Sequence, residues 1–236
     1  MGTNNIFKFK EFDVRHSNSA MKVGTDAVLL GSWAKSLGPK KILDIGSGTG
    51  LLALMLAQRF PHSQIVAIEP NSNSCIDASY NFENSKFHER IKLKSIMIQE
   101  YQTNEKFDLI ISNPPFFKNA LAANNNSRSM ARHDLSLTFQ ELIENVINLL
   151  SPFGQFALII PKERCNEMQS LAINLGLKLS RIMEISGKEG GQAKRCLHQY
   201  GFQPSEVKVE TMAIEIERHL YTQEYIELTR NFYLKM

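Results

Sequence analysis

Residues 113–116 form a rigid turn that carries an amide, with Asn113 followed by Pro114, Pro115 and Phe116. Two consecutive prolines fix the backbone and remove two N–H donors, so the Asn113 side chain and the Pro114 carbonyl can face one point. A planar –NH2 group has two hydrogens, and these two oxygens can accept both of them. Phe116 can stack on a flat ring that carries such an amine. The four residues therefore predict chemistry on an amino or amide nitrogen.

A second chemically useful pattern is the alternation of glycines at Gly46, Gly48 and Gly50, preceded by Asp44. A glycine turn at the start of a helix lets a ligand approach free backbone N–H groups. A dinucleotide loop has the spacing G-x-G-x-x-G, but Leu51 occupies the place of its third glycine here. Asp44 would also repel a pyrophosphate. The loop therefore favours S-adenosylmethionine, which carries an ammonium group, over NAD.

An acidic residue after the next apolar segment supports a nucleoside ligand. Glu69 follows residues 64–68, which are predicted to form a strand. A carboxylate at the end of that strand can accept hydrogen bonds from both hydroxyl groups of a ribose. Together with the glycine loop, Glu69 is predicted to bind the cofactor.

A parallel sheet is needed to hold these residues, and the pattern from residue 41 onward predicts one. Short β-branched segments alternate with helical segments, which indicates βαβ units. The carboxyl ends of parallel strands meet at one edge of a sheet, where ligands bind. The predicted strands are 41–45, 64–68, 90–94, 107–112 and 154–160, and the predicted helices are 51–60, 72–84, 139–150 and 164–175.

The C-terminal third has a different pattern. Residues 178–185 and 207–217 are predicted strands, and the glycine-rich, polar connection 186–205 between them contains no helix. Two strands joined without a crossover helix are expected to pair antiparallel. The fold class is therefore predicted to be α/β, with a mostly parallel seven-stranded sheet, an antiparallel C-terminal strand and helices on both faces.

Composition narrows the class of protein further. The 236 residues are 43% hydrophobic and 22% charged, which fits one globular domain with a net charge of +3. No apolar segment is long enough for a membrane helix, and the N-terminus lacks a secretory signal. Three cysteines and six histidines are scattered without metal-ligand spacing, which predicts reduced thiols, no metal site and a cytoplasmic protein.

With the motifs at Asp44 and Asn113, the chain resembles the class I S-adenosylmethionine-dependent methyltransferases that act on exocyclic or amide nitrogens. The finer resemblance is to the bacterial tRNA1(Val) (adenine-37-N6)-methyltransferase family. The segments that carry it are 9–14, 20–26, 30–33, 51–58, 110–117, 131–133 and 232–236. They span nearly the whole chain, and the Met-Lys-Val-Gly-Thr-Asp block that ends at Asp26 narrows the resemblance to this family.

The resemblance implies one Rossmann-like methyltransferase domain, 1–236, in which an N-terminal extension, 1–40, has a helix at about 19–36 that covers the pocket. It implies that a monomer methylates N6 of adenosine 37 in the anticodon loop of tRNA1(Val). The expected catalytic residues are Asn113, Pro114, Pro115 and Phe116. The expected cofactor-binding residues are Thr25, Asp26, Asp44, Gly46, Ser47, Gly48, Gly50, Glu69 and Asn113. The expected substrate-binding residues are Lys22, Phe117, Arg132 and His133.

One position departs from the family pattern. Met97 stands where such enzymes commonly carry an acid that accepts a hydrogen bond from the adenine amino group of the cofactor. Either the backbone or Ser95 replaces that acid, or the adenine is recognised less strictly. Basic residues flank the pocket in sequence and are candidates for contacts with tRNA phosphates. They are Lys8, Lys10, Arg15, Lys22, Lys118, Arg128 and Arg132.

Other functions remain open from the sequence. The Asn-Pro-Pro-Phe motif also serves enzymes that methylate amines of rRNA or DNA, or the amide of protein glutamine. A short N-terminal region, with no separate helical substrate domain, argues against the glutamine enzymes. An NAD-dependent oxidoreductase is disfavoured by Leu51, and a catalytically silent RNA-binding module by the intact motif at Asn113.

Overall fold

A nine-stranded mixed sheet runs through the part of the chain that the computed structural model describes, residues 5–19, 22–114 and 137–236. Its strands are β3 Lys41–Ile45, β4 Gln64–Ile68, β5 Ile91–Lys94, β6 Phe107–Ser112, β7 Leu150–Pro161, β8 Lys178–Lys188, β9 Ala193–Gly201, β10 Lys208–Glu217 and β11 Leu220–Tyr221. A separate N-terminal hairpin contains β1 Ile6–Lys8 and β2 Asp13–Arg15. The described helices are α1 Thr25–Trp33, α2 Leu51–Arg59, α3 Ser72–Glu83, α4 Phe139–Leu149, α5 Cys165–Asn174 and α6 Gln223–Thr229.

The strand order across the sheet is β5-β4-β3-β6-β7-β9-β8-β10-β11. The five strands from β5 to β7 run parallel, and β9 is antiparallel to both of its neighbours, β7 and β8. The predicted α/β class, with a mostly parallel sheet and an antiparallel C-terminal part, is confirmed. The sheet has nine strands rather than the predicted seven, because β9 and β11 were not predicted.

The polar connection predicted at 186–205 is wrong, because Ala193–Gly201 is strand β9. This strand forms a hairpin with β8 and lies between β7 and β8. Its buried side chains include His198 and Gln199, whose polarity hides the strand from a search for apolar alternation. Lys188, Lys194 and Arg195, which fall within the predicted connection, therefore lie in strands β8 and β9.

The pairing predicted for the last two strands is also wrong. Residues 178–185 and 207–217 belong to β8 and β10, which pair parallel. The chain reverses direction once between β8 and β9 and again before β10, so β8 and β10 point the same way. The antiparallel prediction failed because it did not include the strand between them.

Helices cover both faces of the sheet. Ile42 and Leu109 belong to the core beneath α1, α2 and α3, whereas Leu43 and Ile110 belong to the core beneath α4 and α5. Successive residues of β3 and β6 thus alternate between two apolar layers. A parallel sheet buried on both faces is the arrangement that βαβ connections produce, and it exposes the carboxyl ends of the strands for binding.

The N-terminal helix is shorter than the predicted 19–36. It spans Thr25–Trp33, and it ends because Ala34 adopts an extended backbone. Residues 20 and 21 of the predicted range lie outside the described part. No helix within the described ranges is long and apolar enough to cross a membrane.

Candidate active site

The glycine loop joins the carboxyl end of β3 to the first residue of α2. Gly46, Gly48 and Gly50 have φ angles of 72°, 56° and 81°, in the left-handed region that glycine adopts without steric cost. The N–H groups of Gly46 and Ser47 donate to the Ile68 carbonyl at 2.9 and 3.0 Å. The end of β4 therefore holds the first half of the loop in place.

These three glycines serve two purposes. A Cβ atom at Gly46 or Gly48 would meet nothing within 4 Å among the described residues, so a ligand can approach the backbone there. A Cβ atom at Gly50 would lie 2.3 Å from Cε1 of Phe82. This third glycine allows α2 to begin in close contact with α3. The loop is thus open at its first two glycines and closely packed at its third.

Asp44 lies fully buried at the base of the loop. Its Oδ2 accepts a hydrogen bond from the N–H of Ala53 at 3.1 Å, while its Oδ1 has no hydrogen-bond partner among the described residues. Burial raises the pKa of this carboxyl group to about 8, against the opposing effect of the Ala53 N–H, and the nearby charge of Glu69 raises it further. A buried acceptor without a partner is costly, and a ligand ammonium would satisfy it.

Glu69 stands at the end of β4, directly across from the open part of the loop. Its Oε2 accepts a hydrogen bond from the Gly48 N–H at 2.8 Å, and its Oε1 accepts one from the Asn71 N–H at 2.8 Å. Each carboxylate oxygen can accept a further hydrogen bond. The position agrees with the predicted role of accepting ribose hydroxyl groups, which stays a prediction.

The described residues of this pocket fit S-adenosylmethionine. Asp44 Oδ1 and Ser47 Oγ are both buried and have no hydrogen-bond partner within the described ranges. The open backbone at Gly46 and Gly48 leaves space for a ligand, and Glu69 supplies an acceptor beside it. The donor and acceptor set therefore suits a molecule with an ammonium group at one end and a ribose at the other.

Asn113 follows the last residue of β6, on the strand next to β3. Ser112 lies opposite Ile45 in the register, and its hydroxyl donates to the Ile45 carbonyl at 3.0 Å. This bond joins the two strand ends that carry the glycine loop and Asn113. The Oδ1 atom of Asn113 is buried and has no hydrogen-bond partner in the described part of the chain. An amide acceptor is thus available at the same sheet edge as the loop.

Several predicted residues lie outside the described ranges. Pro114 is described and buried, so the structure places the first half of the motif. The other predicted positions, together with two candidate phosphate contacts, belong to residues 115–136. They are Pro115, Phe116, Phe117, Lys118, Arg128, Arg132 and His133.

Met97, at the position where related enzymes commonly carry an acid, lies just after β5. Ser95 is exposed, and the Cys75 thiol, which donates to the Glu69 carbonyl at 3.1 Å, also lies 3.4 Å from the Ser95 hydroxyl. Met97 is half-buried and precedes a short turn of 3-10 helix. Ser95 therefore lies near the ribose-binding candidate, Glu69, and its role toward an adenine amino group stays a prediction.

The N-terminal candidates have their own contacts. Thr25 is the exposed first residue of α1, and the helix has no side-chain cap. The Asp26 carboxylate accepts a hydrogen bond from Nε of Arg195 at 2.8 Å, which links α1 to β9. Lys22 is exposed and precedes the helix. The structure brings Asp26 to β9, a contact that the sequence did not predict.

Two polar residues of α3 matter to the site, and sequence reasoning missed both. Asn81 donates to the carbonyls of Arg15 and Thr49, each at 2.9 Å, and so connects β2 to the glycine loop. Asp77 accepts from the backbone N–H of Asn18 at 2.7 Å and from Nε of Arg15 at 3.0 Å. The available signal was polar residues spaced four apart on the buried face of α3. Arg15, a candidate phosphate contact, is engaged with these residues.

Comparison with protein families finds a match over most of the chain. The family model described as methyltransferase small domain matches residues 14–172. Two bacterial proteins with the name tRNA1(Val) (adenine(37)-N6)-methyltransferase are similar throughout. The one from Bacteroides thetaiotaomicron is 42% identical over 234 residues, which cover 99% of each chain. The one from Trichodesmium erythraeum is 41% identical over 235 residues, which cover 98% of each chain.

Solved structures support the fold. The crystal structure of a predicted O-methyltransferase, Atu636 from Agrobacterium tumefaciens, superposes with a TM-score of 0.65. The match covers 88% of this chain and 96% of that one, at 20% sequence identity. At that identity the likeness concerns the fold alone, which is the Rossmann-like arrangement described above.

Proposed function

This chain belongs to the tRNA1(Val) (adenine(37)-N6)-methyltransferase family, and from that premise we propose its reaction. It transfers a methyl group from S-adenosyl-L-methionine to N6 of adenosine 37 in the anticodon loop of tRNA1(Val). The observation that carries the proposal is the buried Oδ1 of Asn113, which has no hydrogen-bond partner among the described residues and lies at the same sheet edge as the open glycine loop. An acceptor for an amine hydrogen and a pocket for the methyl donor share one sheet edge.

The residues of β3 and β4 bind and orient the cofactor. Asp44 Oδ1 accepts a hydrogen bond from the ammonium group of the cofactor, and the backbone at Gly46 and Gly48 lies close to the methionine part of the cofactor. Glu69 accepts the ribose hydroxyl groups. When bound, the cofactor supplies an electrophilic sulfonium methyl group. The chain's task is to hold that methyl group in line with the target nitrogen, and such positioning can account for much of a rate enhancement.

The residues at the end of β6 act on the amine. The lone pair of an adenine amino nitrogen is delocalised into the ring, so the nitrogen is a weak nucleophile. The Asn113 Oδ1 and Pro114 carbonyl oxygens accept its two hydrogens and favour a pyramidal nitrogen as positive charge develops. Fixed dipoles of this kind stabilise the transition state without reorganising. The extra proton leaves the nitrogen after methyl transfer, and a strong general base is not required.

The target base must leave its stack to reach this pocket. A base in an anticodon loop is already partly splayed, so its extrusion costs less than that of a base in a duplex. Lys22 and the candidates at residues 115–136, namely Phe117, Arg132 and His133, would contact the loop. In this proposal residues 1–40 form the extension that closes the pocket.

The active unit in this proposal is one chain in the cytoplasm. Asp44, Glu69 and Asn113 all come from the same chain, which supports a monomer with a complete site. The proposed substrate, tRNA, supports the location. Residues 1–236 are taken as a single methyltransferase domain.

Methyl transfer into an unmodified tRNA1(Val) transcript tests the proposal. Radiolabelled S-adenosylmethionine is supplied, and the digested nucleosides are separated to detect N6-methyladenosine. A transcript with guanosine in place of adenosine 37 is the matched control. We expect label as N6-methyladenosine only in the first transcript. Total protein is treated in parallel, and label there with none in tRNA would contradict tRNA as the substrate.

The role of Asn113 has a test of its own. We expect Asn113→Ala to lower kcat by about 100- to 1,000-fold, as for loss of one fixed dipole at a transition state. Its affinity for S-adenosylhomocysteine, measured by calorimetry, is expected to stay within about threefold of wild type, since the contact forms with the amine. Asn174→Ala, at the exposed end of α5, is the control. An equal loss of kcat and of cofactor affinity in a folded Asn113→Ala protein would contradict this role.

A further inference from the structure

A compact group of soft metal ligands lies where the start of α5 meets β9. Cys165 is the first residue of α5, and Cys196 and His198 lie two residues apart on β9. All three are buried, with exposures of 4%, 1% and 0%. Their two sulfur atoms and one ring nitrogen all lie within 4.8 Å of one another. The first of the three is 31 residues from the second in sequence, so spacing along the chain does not reveal the group.

We propose that Cys165, Cys196 and His198 bind a zinc ion that fastens the start of α5 to β9. Two thiolates and an imidazole are a common ligand set for zinc, with bonds of about 2.3 Å to sulfur and about 2.0 Å to nitrogen. Tetrahedral angles then place the ligand atoms about 3.5 to 3.8 Å apart. The widest pair, at most 4.8 Å apart, therefore has to close by at most about 1.3 Å, which side-chain rotation can supply. The three residues leave the fourth position for a water molecule.

The surroundings of His198 support this assignment. Its Nε2 atom is buried and has no hydrogen-bond partner among the described residues. Its Nδ1 atom lies 2.7 Å from the Tyr200 hydroxyl. A metal-binding histidine commonly donates its second N–H to an oxygen, which fixes the tautomer and the ring orientation. Tyr200 holds His198 in the orientation that leaves Nε2 free for a metal ion.

In this proposal the ion enters at the start of α5. Cys165 follows the turn Lys162–Arg164, in which Glu163 is exposed. Opening the first turn of α5 would bring an ion from solvent to the Cys165 sulfur. Binding forms two zinc–sulfur bonds and releases the two thiol protons to the buffer. Because β9 lies next to β7, the ion would connect the antiparallel part of the sheet to a helix that covers the parallel part.

Cobalt substitution tests the proposal on the full chain. Protein stripped with a chelator in the presence of a phosphine reductant is titrated with Co²⁺ under nitrogen, and Zn²⁺ is then added. We expect thiolate-to-cobalt charge-transfer absorption that saturates at one equivalent and disappears with Zn²⁺. Cys165→Ser and Cys196→Ser are each expected to weaken binding by about 100-fold or more, and Tyr200→Phe by about tenfold.

Cys75→Ser is the matched control, because Cys75 is a free cysteine outside the group, on α3, where its thiol donates to the Glu69 carbonyl. It is expected to keep the absorption at full intensity. Tyr200→Phe keeps the buried ring and is therefore expected to fold, which near-ultraviolet circular dichroism checks. If a cysteine variant fails to fold, the titration of Tyr200→Phe still tests the proposal. No charge-transfer absorption in wild type, or equal titrations of wild type, Cys196→Ser and Tyr200→Phe, would overturn the proposal.

Discussion

At the scale of single residues, Asp44 is the buried side chain that we propose for binding the ammonium group of the cofactor. Its carboxyl group has one hydrogen bond from Ala53 and a second oxygen without a partner in the described part of the chain. Burial raises its pKa to about 8, so the free protein near neutral pH carries it mostly protonated. Binding an ammonium group favours the ionised form. The ligand and the proton therefore compete for this group.

The affinity for S-adenosylhomocysteine is accordingly expected to rise with pH. Below about pH 8, each decrease of one pH unit lowers the ionised fraction of Asp44 by up to about tenfold, and the affinity falls in proportion. Above that pH the affinity levels off as the carboxylate becomes fully ionised. Calorimetry over this range, in two buffers of different ionisation enthalpy, measures both the affinity and the released proton.

Asp44→Asn is the control for this pH dependence. The amide retains an acceptor for the Ala53 N–H but has no charge to titrate. Its weaker binding is expected to be independent of pH. A wild-type affinity that stays flat from about pH 6 to about pH 8 would mean that Asp44 does not exchange a proton for the ligand.

At the scale of elements, the glycine loop combines the proposed cofactor site with a tight helix contact. We expect Gly50→Ala to destabilise the protein, because its Cβ would lie 2.3 Å from Phe82 and its φ angle is 81°. The left-handed backbone costs roughly 1 kcal/mol or more, and the overpacking adds about 1 to 3 kcal/mol. Urea unfolding of the free protein measures the sum.

Gly38→Ala separates these two costs. Gly38 has a φ of 59°, and a Cβ there would meet no described atom within 4 Å, so only the backbone cost applies. Gly50→Ala combined with Phe82→Leu is expected to recover part of the loss by removing the ring atoms at the contact. Equal destabilisation by the two alanine variants would show that the contact with Phe82 is relaxed by a small movement of the ring.

Elements also show where the sequence is informative and where it is not. The strands at 41–45, 64–68 and 107–112 were predicted with their observed bounds, because each is a continuous apolar segment followed by a distinctive turn. Strand β9 was missed because His198 and Gln199 occupy buried positions. The contact of Asp26 with Arg195 joins residues far apart in the chain, and no local pattern encodes such a pairing.

At the scale of the whole molecule, parallel strand direction assembles the site. Strands β3, β4 and β6 are neighbours that run the same way, so their carboxyl ends bring the glycine loop, Glu69 and Asn113 to one edge. Residue types and strand ends were sufficient to predict this convergence. Asn81, which connects the loop to the N-terminal hairpin, needed the packed structure, because its partners are backbone atoms of distant segments.

Binding of a tRNA at this edge is expected to depend strongly on salt. Each phosphate that the protein neutralises releases counterions, which adds about 0.7 to 0.9 to the negative slope of log affinity against log salt concentration. With several basic side chains engaged, kcat/KM for the tRNA transcript is expected to fall by at least tenfold between about 50 and about 200 mM salt. Methylation rates at subsaturating tRNA measure this slope.

Two exposed lysines distinguish a contact at this edge from a general effect of charge. Lys22 precedes α1 on the N-terminal extension, whereas Lys178 begins β8, at the opposite edge from the strand ends that carry the site. Lys22→Ala is expected to reduce the slope by about 1, as for one lost phosphate contact. Lys178→Ala removes the same charge and is expected to leave the slope unchanged. Equal slopes for both variants would place the phosphate contacts elsewhere, and a flat wild-type profile would contradict a tRNA substrate.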